Sequence, residues 1–345
     1  MPVARPMTLR DVAARAGVST STVARVVHGN GYVAEATRRR VEQAMEEGGF
    51  RLNAVASGLK RRRSTTIGAV LHETLPNPFF AAVALGVERA AREHGYDVLI
   101  ANASGSPAHE RAGVEAFLAQ QVAAIVFAKP VAAANVELAA RAGVAVVEVE
   151  EPLFGRGGRV LVDDRSGAIA AVRHLLELGH ERIGFIGEPA GEHAVRGRLA
   201  GYREALAAGG IELDEELVVV GDYTREPEWP LLRVGYDYMV RLLAARPAAT
   251  AVLAGSDLLA AGALQALYER CLRVPNDFSV IGFDDTFAQH LTPPLTTVRQ
   301  PMLELGVGAV ELATALAASP RRRKRELRLA TELVVRGSTA APPLR

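Results

Sequence analysis

The chain has 345 residues, 49% of them hydrophobic, which allows sizeable buried cores and favours two or three domains over one. The formal net charge of +1 is unevenly spread: residues 1–63 hold 12 Lys and Arg against 5 Asp and Glu, a charge of +7, and the remainder carries −6. A single cysteine, Cys271, excludes an internal disulfide framework, and no run of about 18 apolar residues is present to cross a membrane.

The first fifty residues read as a compact helical head. "TLRDVAARAG" opens with Thr8 and places Asp11 three residues later, a capping-box start. Leu9, Val12, Ala13 and Ala16 then share one helical face, and Gly17 ends the helix. Val18 packs at the turn and Ser19 caps a second helix, whose buried stripe is Val23, Val26 and Val27 before Gly29 and Gly31 stop it. A third helix runs from about Ala34 to Glu47, with Val41, Ala44 and Met45 inward and Gly48 at its end. Two helices joined by a tight glycine turn, with a supporting third, make a helix-turn-helix, whose second helix enters the major groove by its N-terminal end. Thr20, Ser21 and Thr22 stand at that end, and Arg25 lies outward one turn beyond Ser21. An ordinary capped helix in a small bundle has the same local pattern. The basic charge of the head is what favours a polyanionic partner.

"RLNAVASGLKRRRSTT" follows, a short basic linker in which Gly58 costs about 1 kcal/mol against alanine in a helix. Leu59 stands beside Lys60, Arg61, Arg62 and Arg63. Two readings stay open for it: an ordinary exposed leucine, or a wedge between base steps.

From Ile67 the pattern changes to apolar strands alternating with amphipathic helices. "TIGAVL", "YDVLIAN", "AAIVFAK", "VAVVEVE" and "GRVLVDD" are the strands of a first series; "RIGFIG", "LVVVGDY", "AVLAG" and "SVIGFDD" belong to a second. This predicts an α/β core of two similar lobes, each a parallel sheet covered by helices on both faces. The chain after both series, "LTTVRQPMLELGVGAVELATAL" and "ELVVRG", predicts several crossings between the lobes. The run "RRRKR" at 321–325 reads as a solvated loop.

Ligands of open parallel sheets bind beyond the carboxyl ends of the strands. That rule selects His72, Glu73, Asn102, Lys129 and Glu148 in the first lobe. In the second it selects Glu188, Asp222, Tyr223, Ser256, Asp257, Asp284 and Asp285. Phe79, Phe80 and Tyr223 add aromatic faces suited to a small hydroxylated molecule. Helix capping is an equal alternative for Asp257 and Asp284, and core packing for Phe79 and Phe80. No phosphate loop, H-E-x-x-H pair or G-x-S-x-G elbow is present, and the eight histidines lack ligand spacing, so catalytic and metal chemistry find no motif.

"TLRDVAARAGVSTSTVARVVHG", followed in order by "LELGHERIGFIG", "RLAGYREAL", "SDLLAAGAL", "VPNDFSVIGFDD", "LTTVRQP" and "ELVVRGST", resembles the lactose/galactose-repressor (LacI/GalR) family of bacterial transcription regulators over nearly the whole chain. The resemblance implies a homodimer whose heads bind a pseudo-palindromic operator, hinge segments that fold in the minor groove, and a core like periplasmic sugar-binding proteins. By position, Thr20, Ser21 and Arg25 match base-reading residues and Leu59 the intercalating leucine, with Lys60 after it. Thr8, Ser19, Thr22, His28, Asn53 and Ala56 complete the candidate DNA contacts. His72, Phe79, Phe80, Glu148, Arg198, Tyr223, Ser256 and Asp284 match positions that line the effector pocket; Arg198 enters on the resemblance alone. The chain departs from the family pattern at His28 (usually asparagine), Ala34 (usually serine), Ser57-Gly58 (usually Arg-Ser) and Ser256 (often asparagine). No leucine heptads follow "VVRGST", which implies a dimer rather than a tetramer.

The expected organisation is a helix-turn-helix head over 1–52, a hinge over 53–64 and a core over 65–345. Lobe 1 is placed at about 65–163 and 295–326, lobe 2 at about 164–294 and 327–345. The expected function is a sequence-specific DNA-binding regulator, a repressor, whose operator affinity is set allosterically by a sugar or sugar derivative held between the lobes. His72, Lys129 and Arg198 keep an acidic or phosphorylated effector open. No catalysis, cofactor or metal is expected. The expected partners are double-stranded operator DNA, the effector and a second copy, with no membrane. With no apolar segment of signal-peptide length at its start, the expected place is the cytoplasm, on the nucleoid when DNA-bound. Two rivals share such a core: a transport-type binding protein and an α/β enzyme with a helical appendage.

Overall fold

The computed structural model describes residues 7–28, 30–50, 64–73, 77–221, 231–245, 249–319 and 326–343. They fall into two compact units, Met1–Arg63 and Ser64–Arg345.

The first unit is three helices, α1 (Leu9–Ala16), α2 (Thr20–His28) and α3 (Glu35–Glu47). The capping box forms at the start of α1. The Thr8 hydroxyl accepts from the Asp11 N–H, and the Asp11 carboxylate accepts from the Thr8 N–H at 2.8 Å. Gly17 leaves the helix at φ 64°, a left-handed conformation that costs glycine nothing, and so turns the chain directly into α2. Val12, Val23 and Val41 are fully buried between the helices, with Ala13, Ala16, Val26 and Ala44 around them. Leu9 does not join them. It stays exposed at the first position of α1, and Met7, Val18, Val33 and Phe50 close the small core instead. Ala34 precedes α3 without any side-chain bond to the helix, as its lack of a hydroxyl dictates.

The second unit begins with β1 (Thr66–Leu71), α4 (Pro78–Glu93), β2 (Asp97–Asn102), α5 (Pro107–Ala119), β3 (Ala124–Ala128), α6 (Ala133–Arg141), β4 (Ala145–Val149) and β5 (Gly158–Val162). The second series is α7 (Asp164–Glu177), β6 (Ile183–Gly187), α8 (His193–Ala208), β7 (Val218–Val220), α9 (Leu231–Ala245), β8 (Ala251–Ala254), α10 (Asp257–Glu269), β9 (Ser279–Asp284) and β10 (Thr296–Arg299). The chain then returns through α11 (Met302–Ala318) and β11 (Glu326–Leu329) to β12 (Glu332–Val334).

Two six-stranded sheets result, in the orders β11-β5-β4-β3-β1-β2 and β12-β10-β9-β8-β6-β7. Every pairing is parallel except β12 on β10. Central strands such as "AIVFA" and "AVLA" are buried along their whole length, as strands covered on both faces must be. In the first lobe, Val83, Val87, Leu305 and Ala309 of α4 and α11 pack on one face of the sheet. Val114, Phe117, Val136 and Ala139 of α5 and α6 pack in a second cluster.

The lobe boundaries differ from the sequence expectation near the C-terminus. Residues 296–299, expected in lobe 1, form β10 in the second sheet, with Thr296 opposite Ile281 and Val298 opposite Phe283. Residues 327–329, expected in lobe 2, belong to β11 in the first sheet, with Leu327 opposite Val160. β11 is a partly buried edge strand, and β10, though buried between β12 and β9, reads Thr-Thr-Val-Arg, so apolar pattern alone does not assign either to a sheet. The chain therefore passes between lobes near residues 163, 300 and 330. Among the described residues, no helix is long and apolar enough to cross a membrane.

Candidate functional site

In the head, the hydroxyl-rich start of α2 is organised by Ser19. Its Oγ accepts from the Thr22 N–H at 3.2 Å, which caps the helix, and lies 2.7 Å from Ser21 Oγ and 2.9 Å from Thr22 Oγ1. Ser19, Thr20, Ser21 and Arg25 are exposed, and Thr22 is half-buried. Thr8 serves the N-cap of α1, and His28 is the last residue of α2. Asn53, Ala56, Leu59 and Lys60 lie outside the described residues, as does the basic run at 321–325. The arrangement presents a helix N-terminus, with its orphan N–H groups and short hydroxyls, next to an unobstructed guanidinium. Such a surface suits phosphate and base-edge contacts.

In the core, a small, narrow cavity lies between the two lobes at the carboxyl ends of the strands. From lobe 1 it is lined by Asn77, Phe79 and Phe80 at the start of α4, Lys129 after β3 and Glu150 after β4. From lobe 2 come Glu188 after β6, Glu192, Val195 and Arg198 around the start of α8, Ser256 before α10 and Asp284 at the end of β9. Gln300 lies at a crossing. Three of these residues hold left-handed backbone without being glycine: Lys129 at φ 56°, Glu150 at 68° and Asp284 at 119°. Such conformations cost of order 1–3 kcal/mol each and cluster where a site needs them. Here they turn side chains at strand ends into the cleft. A broader, open groove at the amino end of β4, lined by Ala133, Arg141, Val144 and Phe154, holds none of these strand-end groups.

The cavity is closed across the lobes by two polar contacts. Lys129 Nζ lies 2.8 Å from Glu192 Oε2, and the Glu151 carboxylate of lobe 1 accepts from the His193 N–H at the start of α8 at 2.7 Å. Glu192, the residue before α8, makes no capping bond itself, so a carboxylate from the opposite lobe takes the N-cap role. Arg198 is buried. Its Nε donates to Asp164 Oδ1 at 2.8 Å, Nη1 donates to the Gly255 carbonyl, and the guanidinium stands 3.9 Å over the Phe283 ring. Burial opposes its charge, but Asp164, Asp284, Glu150 and Glu188 around it hold it protonated. Burial raises Glu150 to about 7 despite the nearby Arg198, and raises Asp284 well above the usual range for an aspartate.

Of the candidates, Phe79, Phe80, Lys129, Glu188, Arg198, Ser256 and Asp284 line one cavity, which also takes in Asn77, Glu150, Glu192 and Gln300. Glu148 is corrected. It sits inside β4, one residue short of the strand end, and its carboxylate accepts from the Leu153 and Phe154 N–H groups rather than facing the cavity. His72 does not line the cavity either. Its Nδ1 lies 3.1 Å from the Lys129 carbonyl, and its ring stacks on Phe80 at 5.8 Å. Burial, then the charge of Lys129, lowers it to about 4, so it is a neutral prop for both neighbours.

Of the other strand-end candidates, Asn102 accepts from the Ser104 N–H and Asp285 pairs with Arg299 and Arg336. Asp257 is fully buried and accepts from Thr297 Oγ1 at 2.6 Å and the Thr286 N–H at 2.9 Å. The cap of α10 is Ser256, not Asp257. Asp222 and Tyr223 lie outside the described residues. Counting two residues further along "VAVVEVE" would have selected Glu150, and "NPFF" carries the Asn-Pro signature of a capped helix start at Asn77. Nothing local marks Gln300.

Comparison with known proteins agrees with both units. Residues 8–53 match the model for bacterial regulatory proteins of the lacI family, and residues 172–339 match a periplasmic binding protein-like domain. The ribose operon repressor of Escherichia coli (strain K12) is 34% identical over 336 residues, 96% of this chain and 99% of that protein. A structure of the lac repressor dimer bound to operator and the anti-inducer ONPF superposes with a TM-score of 0.85 at 30% identity, covering 98% of this chain and all of that one. The complex of the transcriptional regulator CelR with cellobiose superposes with a TM-score of 0.71 at 34% identity, covering 97% and 100%. With a relative of this identity aligned over 96% of the chain, head and core included, the chain belongs to the lacI family of bacterial regulatory proteins.

Proposed function

We infer that the protein is a repressor whose hold on operator DNA is adjusted by a sugar or sugar derivative enclosed between the two lobes. One observation carries the reading. A single chain combines an exposed Ser19-Thr20-Ser21-Arg25 edge on a basic head with a closed interlobe cavity built from strand ends. Thr20, Ser21 and Arg25 read base edges in the major groove, and Leu59 and Lys60 act in the minor groove. The effector contacts are Phe79, Phe80, Lys129, Glu150, Glu188, Arg198, Ser256, Asp284 and Gln300. Glu148 and His72 support the site from behind. The related ribose operon repressor and the cellobiose complex of CelR favour a sugar over other metabolites.

The mechanism is linkage. A ligand that binds better when the lobes are closed shifts the core toward closure, and in a dimer the closure resets the spacing of the two heads. No side chain is asked to break a bond. A mobility-shift titration of the full chain on the DNA upstream of its own gene, with and without a sugar panel, tests the reading. Retardation by the protein, relieved or strengthened by one sugar, is the expected result. No binding to any fragment at low salt, liganded or not, sinks it.

A further inference from the structure

The polar atoms of the interlobe cavity are unbalanced in one direction. Glu150 Oε1, Glu188 Oε2 and Gln300 Oε1 are buried without a hydrogen-bond partner. Their residues are 9%, 7% and 2% exposed. Gln300 Oε1 is an acceptor, and the two carboxylate oxygens are acceptors in their ionised form. Gln300 has already given its Nε2–H to Asp284 Oδ1 at 2.6 Å.

The charges lean the same way. The two cations of the cavity are engaged, Lys129 by Glu192 and Arg198 by Asp164 and the Gly255 carbonyl. Among the described residues, no direct ion pair joins Glu150, Glu188 or Asp284 to a cation; the one Arg198 charge among them is shared with Asp164. A metal ion is not the answer, since no group of three carboxylate, histidine or cysteine side chains among those residues could hold one.

A buried orphan acceptor costs free energy until a donor arrives, and a buried carboxylate costs more until its charge is met. A phosphorylated or acidic sugar brings more acceptors and more negative charge, which the surplus carboxylates repel. A neutral sugar satisfies the acceptors with hydroxyls but leaves the charge. An ammonium group supplies three donors and a second positive charge beside Arg198 together. The faces of Phe79 and Phe80 cover a sugar C–H face or the cation equally well.

We propose that the cavity is built for an aminated sugar, with its ammonium group met by an unpartnered carboxylate oxygen of Glu150 or Glu188 and a hydroxyl on Gln300. The inference rests on the sugar reading of the same cavity and narrows it. It also removes the acidic and phosphorylated effectors that Lys129 and Arg198 had kept open.

The test is isothermal titration calorimetry of the full chain at neutral pH. The probes are glucosamine, galactosamine and mannosamine, each beside its parent hexose and its N-acetyl derivative. At least one amino hexose is expected to bind about tenfold or more tighter than both counterparts, the value of a charge-assisted bond over a neutral one. Glu150→Gln with Glu188→Gln is expected to erase that preference. Glu188→Gln alone serves if circular dichroism shows the double variant unfolded. A parent or N-acetyl sugar binding as well or better, or no amino hexose binding at all, overturns the proposal. Operator retardation by the same preparation separates the two levels. If it persists while amino hexoses fail, only this inference falls; if it too is absent, the regulator reading falls with it.

Discussion

Glu150 shows how one backbone torsion decides what a carboxylate does. Two residues earlier, Glu148 is held by two loop amides and is spent on structure. Glu150, turned by its φ of 68°, keeps one oxygen free inside the cavity and titrates at about 7 because it is buried. A carboxyl raised in the folded state stabilises the fold below its unfolded value of 4.5, and that contribution is lost as pH rises through about 7. The groups facing it are Arg198, Asp164, Lys129 and Glu192. Asp257, raised to about 6 by burial, acts in the same direction at slightly lower pH. The ligand-free protein should therefore melt lower at pH 8 than at pH 6. Glu150→Gln should flatten that slope, by on the order of 3 kcal/mol at most in thermal or urea unfolding. His72 has the opposite sign. Held at about 4, it contributes above its ordinary 6.5 and loses that contribution as pH falls through 4. In the head, Arg25→Ala should cost about 1–3 kcal/mol of operator affinity in fluorescence anisotropy, while sugar binding in the same variant stays as it was.

At the scale of elements, each lobe contains a pair of helices pressed together at glycines. Gly86 of α4 faces the Leu303 carbonyl of α11, and Gly306 of α11 faces the Val83 carbonyl of α4. In lobe 2, Gly235 of α9 and Gly262 of α10 make the same reciprocal approach, to the Leu259 and Leu232 carbonyls. An alanine methyl at any of the four would overlap backbone, which has no rotamer to yield. Helix propensity alone makes Gly262→Ala stabilising by about 1 kcal/mol. The overlap reverses that sign, and the variant should instead be destabilised by about 1–3 kcal/mol in urea unfolding. The interlobe contacts belong to this scale too. Lys129→Met removes the pair with Glu192, and Glu151→Gln weakens the borrowed cap of α8. Each should loosen closure and lower sugar affinity by about three- to thirtyfold, read by calorimetry, with the melting temperature little changed.

Across the whole molecule, charge is divided between the two units, with +7 on residues 1–63 and −6 on the rest. Head binding to DNA should release counterions, so the logarithm of operator affinity should fall linearly with the logarithm of salt, by about 0.9 per phosphate contacted. Sugar binding releases none from DNA and should depend far less on salt. Thermodynamic linkage adds a stricter condition. Whatever factor the sugar imposes on operator affinity, saturating operator must impose on sugar affinity, measured by titration of free protein and of the protein–DNA complex. Unequal factors would mean that the two sites do not share one equilibrium between core states.

What the sequence determined by itself was whatever rests on local periodicity and caps: three head helices around Val12, Val23 and Val41, two α/β series, and the polar groups at strand ends. These follow from the 3.6- and 2-residue repeats and from Thr8, Gly17 and Ser19, whose effects act within a turn of the chain. Tertiary structure alone decided what depends on residues far apart. It gave β10 and β11 their sheets, since both are short strands with little apolar signal. It chose Glu150 over Glu148 through a backbone turn that no side-chain pattern encodes. It brought in Gln300, which lies 150 residues from Glu150 in the chain, gives its amide N–H to Asp284 and has a side-chain carbonyl that no donor reaches. The reason is physical: periodicity reports which way a side chain points within its own element, whereas a binding site is a sum over elements. Which acceptors are left over appears only once every other polar group has found its partner.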